Sequence, residues 1–162
     1  MTFMFLPLLG MSMAFQTIVD NNFGARRRDR TRAATRITLV VAFGYCVGMQ
    51  LIFHLSAPTI GSVFVDDVMM QRELARILPI GTLTLFLFGP LMMVATYFQA
   101  IGEAMRAAVL NLSRTFVFAI PLTLALPYLI GEPGIWSAGV IAELLVLALT
   151  VAVAVLMRLR AR

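Results

Sequence analysis

The sequence predicts an all-α, polytopic membrane bundle of five transmembrane helices, and three observations carry that reading. Hydrophobic residues make up 60% of the chain and mean hydropathy is +0.92, beyond the range of soluble domains. Apolar runs of about twenty residues recur, the length that crosses a ~30 Å hydrocarbon core. The charges lie mostly between those runs, and the alternating polar and apolar pattern of a barrel strand is missing. Hydropathy places the helices at about 2–23, 37–65, 77–101, 107–130 and 134–157, and residues 1–162 read as one unit.

The first helix closes at Asn22-Phe23-Gly24-Ala25 before a run of arginines. Gly24 is expected in the left-handed C′ position, with the cations at the helix's negative end. Ser12, Gln16 and Asp20 recur every four residues, so they share one polar stripe that either faces a lumen or hydrogen-bonds a neighbouring helix. The second helix repeats the spacing with Cys46, Gln50 and His54. Cys46 reads as a small buried residue, while His54 is either a proton-coupling group or an interfacial packing residue. Gly44-x-x-x-Gly48 suggests close approach of another helix, and Pro58 is expected to end the regular span before an interfacial piece over 57–65.

In the third helix Gly89-Pro90 predicts a kink near the midplane, and in the fourth Pro121 and Pro127 predict bends. Pro90 and Pro121 are thus candidate gating kinks. Arg114 is expected in the first turns of the fourth helix, snorkelling to the headgroups. The fifth helix carries Glu143 near the middle of an otherwise uncharged run from Ile135 to Met157. A carboxylate there costs about 2–4 kcal/mol, so it faces a bundle interior, a partner or a water-filled path, or is protonated against a neighbouring helix. A polar element at the centre of a polytopic bundle is a first sign of transport.

All 13 basic residues are arginine, and their distribution gives the topology. Arg26, Arg27, Arg28, Arg30, Arg32, Arg36, Arg106, Arg114, Arg158, Arg160 and Arg162 fall on one side. Arg72 and Arg76 fall on the other, beside Asp66, Asp67, Glu73 and Glu132. That bias places the N-terminus outside and the C-terminus in the cytoplasm, in a multi-pass plasma-membrane protein. The first span lacks the marks of a signal peptide and must cross with its N-terminus outward, as a helix following upstream spans would. The chain therefore reads as the C-terminal part of a larger transporter.

The composition also excludes several classes. The pI near 10.7 does not imply nucleic acid, because the aromatics lie inside the apolar runs and not among the arginines. One cysteine makes no internal disulfide, and with one histidine it makes no metal site. No nucleophile–base pair or phosphate loop points to an enzyme or a bound cofactor.

The run Ala14-Phe15-Gln16-Thr17-Ile18-Val19-Asp20-Asn21-Asn22-Phe23-Gly24-Ala25 resembles the helix-ending signature of the multidrug and toxic compound extrusion (MATE) family. Tyr97-Phe98-Gln99-Ala100-Ile101-Gly102, Gly134-Ile135-Trp136 and Ala142-Glu143 are similar to that family's distal segments. Their order and spacing match the last five helices of a twelve-helix, two-lobed transporter. The resemblance implies multidrug efflux by antiport, with inward Na⁺ or H⁺ as the coupling ion and an organic cation or other drug-like compound as substrate. It implies two partners, the lipid bilayer and the N-terminal lobe that this chain lacks.

Glu143, Asp20, Gln16, Gln99 and Tyr97 are the candidate substrate and cation pathway residues. Thr17 stands where the family often has proline, and Asp20 where it has a small residue. The helix at 77–101 has no carboxylate where many members carry a coupling Asp, which points toward coupling in the N-terminal lobe. Two rivals remain: a related flippase for lipid-linked oligosaccharides, and a non-transporting membrane relic or assembly subunit. The flippase is disfavoured because the sequence places no basic residue near the middle of a span.

The topology is open to a direct check. In a Cys46→Ala background, Arg28→Cys and Arg160→Cys are expected to react with an impermeant thiol reagent from the cytoplasmic face. Glu73→Cys is expected to react from the opposite face, and labelling of Arg28→Cys and Arg160→Cys from opposite sides would overturn the arrangement.

Overall fold

The computed structural model describes residues 2–64 and 67–160, and among them every regular element is helical. The order is α1 (Thr2–Gly24), α2 (Arg28–Phe64), α3 (Val68–Gly81), α4 (Leu85–Ala100), α5 (Ala104–Leu112), a π-helical stretch (Ser113–Ala119), α6 (Ile120–Ile130) and α7 (Pro133–Arg160). Arg28–Ala57, Ala104–Ile130 and Pro133–Leu156 are long and apolar enough to cross a bilayer, and α3 with α4, bent by 44°, makes a fourth such span. The 23-residue α1 packs beside α2 and α4. The expected helical membrane bundle is thus present, with five crossings an approximate count. Asp66 and Arg162, both used in the charge reading, lie outside the described residues.

Two apolar clusters hold the helices together. Leu8, Phe15 and Val19 of α1 meet Ala42 and Cys46 of α2 and Met93 and Ala100 of α4. Ala95 and Phe98 of α4 meet Ala107 and Leu110 of α5, with Leu149 and Val153 of α7 against them. Outward-facing Leu55, Tyr128 and Leu129 are 80%, 91% and 79% exposed, which suits a surface solvated by acyl chains and not by water.

The helix ends differ from the expectation in instructive ways. Gly24 lies within α1, and Arg26 takes the left-handed backbone with φ 56°. The Arg27 N–H reaches Asn22 O at 2.8 Å and the Arg26 N–H reaches Phe23 O at 2.9 Å, the paired bonds of a Schellman closure. Gly102, at φ 81°, closes α4 through the same pair of bonds, from Glu103 N to Phe98 O and from Gly102 N to Gln99 O. α2 begins at Arg28, well before the expected residue 37, and continues past Pro58 to Phe64. A polar helix can extend beyond the hydrocarbon because water and headgroups solvate its arginines.

Close helix approach is found at a different glycine from the pair expected. Nothing lies within 4 Å of the positions that side chains at Gly44 or Gly48 would take. At Gly89 a Cβ would sit 2.7 Å from Cys46 Sγ and 2.9 Å from Ala42 O, so α4 rests directly on α2 there. Gly134 is tighter still, with a Cβ position 2.5 Å from the Leu126 carbonyl where α7 turns back on α6. Gly89→Ala is expected to cost about 1–3 kcal/mol by overpacking, whereas Gly48→Ala should leave stability level or raised. Thermal unfolding of the purified variants compares the two directly.

Candidate functional site

Both interrupted spans converge on one buried ion pair. Arg114 is the eleventh residue of the span Ala104–Ile130, about 15 Å along its axis. Glu143 is the eleventh of the span Pro133–Leu156, so it too lies about 15 Å in. α6 and α7 form a tight hairpin, which brings the two mid-span residues to one level. Arg114 Nη2 donates to Glu143 Oε1, with the side chains only 20% and 16% exposed. The guanidinium also lies over the Phe88 ring of α4, 4.0 Å from its centroid.

This corrects two expectations. Arg114 does not snorkel to the headgroups, because a carboxylate lies within reach at the same depth and a charge pair is stabilised strongly where water is scarce. A span does therefore carry a basic residue near its middle, and the premise used against a flippase fails. Pairing with Glu143 nevertheless leaves Arg114 nearly neutralised.

The local backbone explains how Arg114 is aimed. Pro121 has no N–H, so the bond to the preceding turn cannot form. The chain widens just before it into the π-helical stretch, where the Ile120 N–H reaches back five residues to Thr115 O. Such wide turns cluster at functional positions, and this one carries Arg114. Pro121 is thus associated with a change of helical pitch, not with the simple bend expected.

The other break lies between α3 and α4, not at Gly89-Pro90. Thr82, Leu83 and Thr84 separate the two helices, and Pro90 sits inside α4. Gln50 of α2 supplies the missing partners: its Nε2 donates to Leu83 O at 2.9 Å and its Oε1 accepts from the Phe86 N–H at 3.1 Å. Backbone freed in a membrane needs such partners, so the break forms opposite a side-chain amide. The Thr82 hydroxyl donates to Leu78 O at 2.7 Å, and both threonines are buried.

A cavity of about 180 Å³ opens between the break and the ion pair. Met4 and Phe5 of α1, Phe53 of α2, Thr82 and Thr84 of the break, Phe88 of α4, and Gly139 and Glu143 of α7 line it. The ring centroids of Phe5 and Phe88 are 4.8 Å apart. Glu143 Oε2 is buried with no hydrogen-bond partner, and Trp136 Nε1, two turns earlier on α7, is the other such side-chain atom among the described residues. No cluster of residues that could hold a metal ion occurs among the described residues.

The remaining candidates do not join this site. Ser12 is buried against α4, where its hydroxyl lies 2.9 Å from that of Thr96. Thr96 donates to Met92 O at 3.0 Å, so Ser12 acts as the donor between them. Gln16 and Asp20 are exposed, so the stripe divides between an interhelical bond and an outer surface. Gln99 is exposed, and Tyr97 is half-buried between the two apolar clusters. His54 bonds within its own helix, Nδ1 to Gln50 O at 3.0 Å. Arg114 and Gln50 are the residues that the site-directed reading of the sequence missed, and the equal mid-span depth of Arg114 and Glu143 was the available signal.

The helix arrangement can now be set beside known proteins. The sequence pattern of the MatE family matches residues 1–125. The chain belongs to the MatE family. It is similar over 94% of its length to the MATE multidrug transporter DinF-BH, solved with a drug substrate bound, at 31% identity and a TM-score of 0.88. It also shares its fold, at 22% identity and a TM-score of 0.83 over 98% of its length, with a multidrug resistance MATE family transporter of the MOP superfamily solved in an inward-facing conformation. The chain covers 34% and 37% of those two proteins, about a third of each. No curated protein matches it significantly. MatE membership places the chain among transporters and not enzymes.

Removing one member of the central pair strands the other charge. Glu143→Leu or Arg114→Met alone is expected to destabilise the bundle by about 3–5 kcal/mol, and the double variant to recover most of that loss. A double-mutant cycle on detergent-solubilised protein measures the coupling.

Proposed function

We propose that these helices form most of one lobe of a two-lobed drug exporter, together with the further helices that such a transporter contains. In this reading the intact protein exports organic cations or related toxic compounds by antiport, driven by Na⁺ or H⁺ entering the cell. It sits in the plasma membrane with this chain's N-terminus outside and its C-terminus in the cytoplasm. The observation that carries the reading is the family match over residues 1–125, reinforced by the likeness to a drug-bound transporter.

The site supports this reading in chemical terms. A carboxylate facing a cavity walled by Phe5, Phe53 and Phe88 suits a cation with apolar substituents. The bent α3–α4 span supplies an unwound segment at depth, a common element of binding sites in transporters. The Arg76 guanidinium reaches Glu132 at 3.4 Å, joining α3 to the connection before α7, and these two were assigned to one face from charge. Gln16, Asp20 and Gln99 then lie on surfaces available to the other lobe, while Glu143 is the pathway residue of this one.

Arg114 gives the flippase reading one supporting observation, a mid-span cation of the kind that holds pyrophosphate. Its pairing with Glu143 opposes an anionic ligand, and drug export remains the better reading. In cells expressing the intact transporter, Glu143→Gln is expected to reduce extrusion of a fluorescent cationic dye toward that of cells lacking it. Unchanged extrusion at matched surface expression would remove Glu143 from the pathway.

A further inference from the structure

The two sides of the ion pair are unequally satisfied, and that asymmetry has a functional meaning. Glu143 engages Arg114 through Oε1 alone, while Oε2 is buried without a partner beside the cavity. Arg114 has a second seat, the face of Phe88, whose ring also lines the cavity. Each charge therefore has somewhere to go when the other leaves. A pair built only for stability would have both carboxylate oxygens bonded, since an unmatched buried acceptor weakens the fold.

The geometry points to Arg114 as a tethered competitor for Glu143: a built-in cation that occupies the carboxylate until an incoming ammonium-type group enters the cavity and takes its place. The inference rests on the export reading for its ligand class and goes beyond it by assigning the control of affinity to a residue of the neighbouring span. The incoming cation meets Oε2 from the side of Phe5 and Phe53. Arg114 then moves fully onto Phe88, and the site exchanges one positive partner for another with no bond made or broken. Cations that cannot outcompete a guanidinium on a flexible stem are excluded, so Arg114 sets a threshold and so determines specificity.

The π-helical stretch makes the movement feasible. Arg114 is the second residue of a wide turn, where the regular ladder of i to i−4 bonds is already interrupted. A small change of pitch there re-aims the side chain without unwinding α5 or α6. Among the described residues no other acidic or basic side chain lines the cavity, so the competition is confined to these two residues and the ligand.

Equilibrium binding tests this directly. The full chain is purified into lipid nanodiscs and titrated calorimetrically with tetramethylammonium, using tert-butanol as the neutral control, at about pH 9 to keep a released carboxylate ionised. Arg114→Gln, which keeps N–H donors but loses the charge, is expected to bind tetramethylammonium about tenfold tighter than the parent. Glu143→Gln is expected to abolish binding, and tert-butanol to show no dependence on either residue.

Equal or weaker binding by Arg114→Gln would overturn the proposal, as would tert-butanol affinities that follow the same order. Should Arg114→Gln fail to fold, Arg114→Lys serves in its place. A lysine keeps the charge but loses the planar stacking on Phe88, so altered affinity supports the tether and parental affinity sinks it. Binding at equilibrium requires no transport. Normal dye export with unaltered binding in the Arg114 variants therefore overturns the tether alone, and lost export with the expected binding order overturns only the export reading.

Discussion

A charge pair at the centre of an apolar bundle organises this molecule. Either charge alone at that depth would be expensive, and each makes the other tolerable. Their pairing requires α6 and α7 to form a hairpin whose mid-points face each other, which in turn requires the glycine at 134 to lie against the Leu126 carbonyl. It also requires the fourth span to present Arg114 inward, which the wide turn before Pro121 achieves. Phe88 then joins α4 to the pair through its ring. The folding constraint and the candidate chemistry are the same set of contacts.

Around that centre, the irregular backbone is satisfied by specific side chains. Gln50 spans the gap between α3 and α4 with one donor and one acceptor, replacing two bonds that a continuous helix would have made within itself. The Thr82 hydroxyl serves a third freed group, the Leu78 carbonyl. Discontinuity in lipid is stable only on such terms, because no water competes to solvate exposed amides. The broken span is therefore a defined structural element, held by α2 as firmly as the regular helices are held by their cores.

The helical class, the membrane setting and the central carboxylate were legible in the sequence because they follow from composition, run length and depth. So was family membership, since the signature residues from Ala14 to Ala25 lie within the matched region. The details that failed share one cause. Proline and glycine mark where a helix can be interrupted, but long-range partners decide where it is. Gly89-Pro90 stayed helical because the break settled opposite Gln50, thirty-three residues from Leu83 in sequence. Arg114 turned inward because Glu143 lay opposite, twenty-nine residues away. Gly24 gave its expected left-handed conformation to Arg26 because the Schellman bonds formed two residues later. The stripe of Ser12, Gln16 and Asp20 divided because a helix face periodic in four drifts, so only its first member remained against Thr96.

The length of α2 has a mechanical side. Its 37 residues form one continuous rod of about 55 Å, longer than the hydrocarbon is thick. One end carries Arg28, Arg30, Arg32 and Arg36, within reach of anionic headgroups, and Gln50 sits farther along the same shaft. A lever of this kind turns a shift in lipid charge at the membrane surface into displacement at the splice between α3 and α4, about 33 Å from Arg28. Lipid composition thereby acts on the interior of the bundle without any molecule having to enter it.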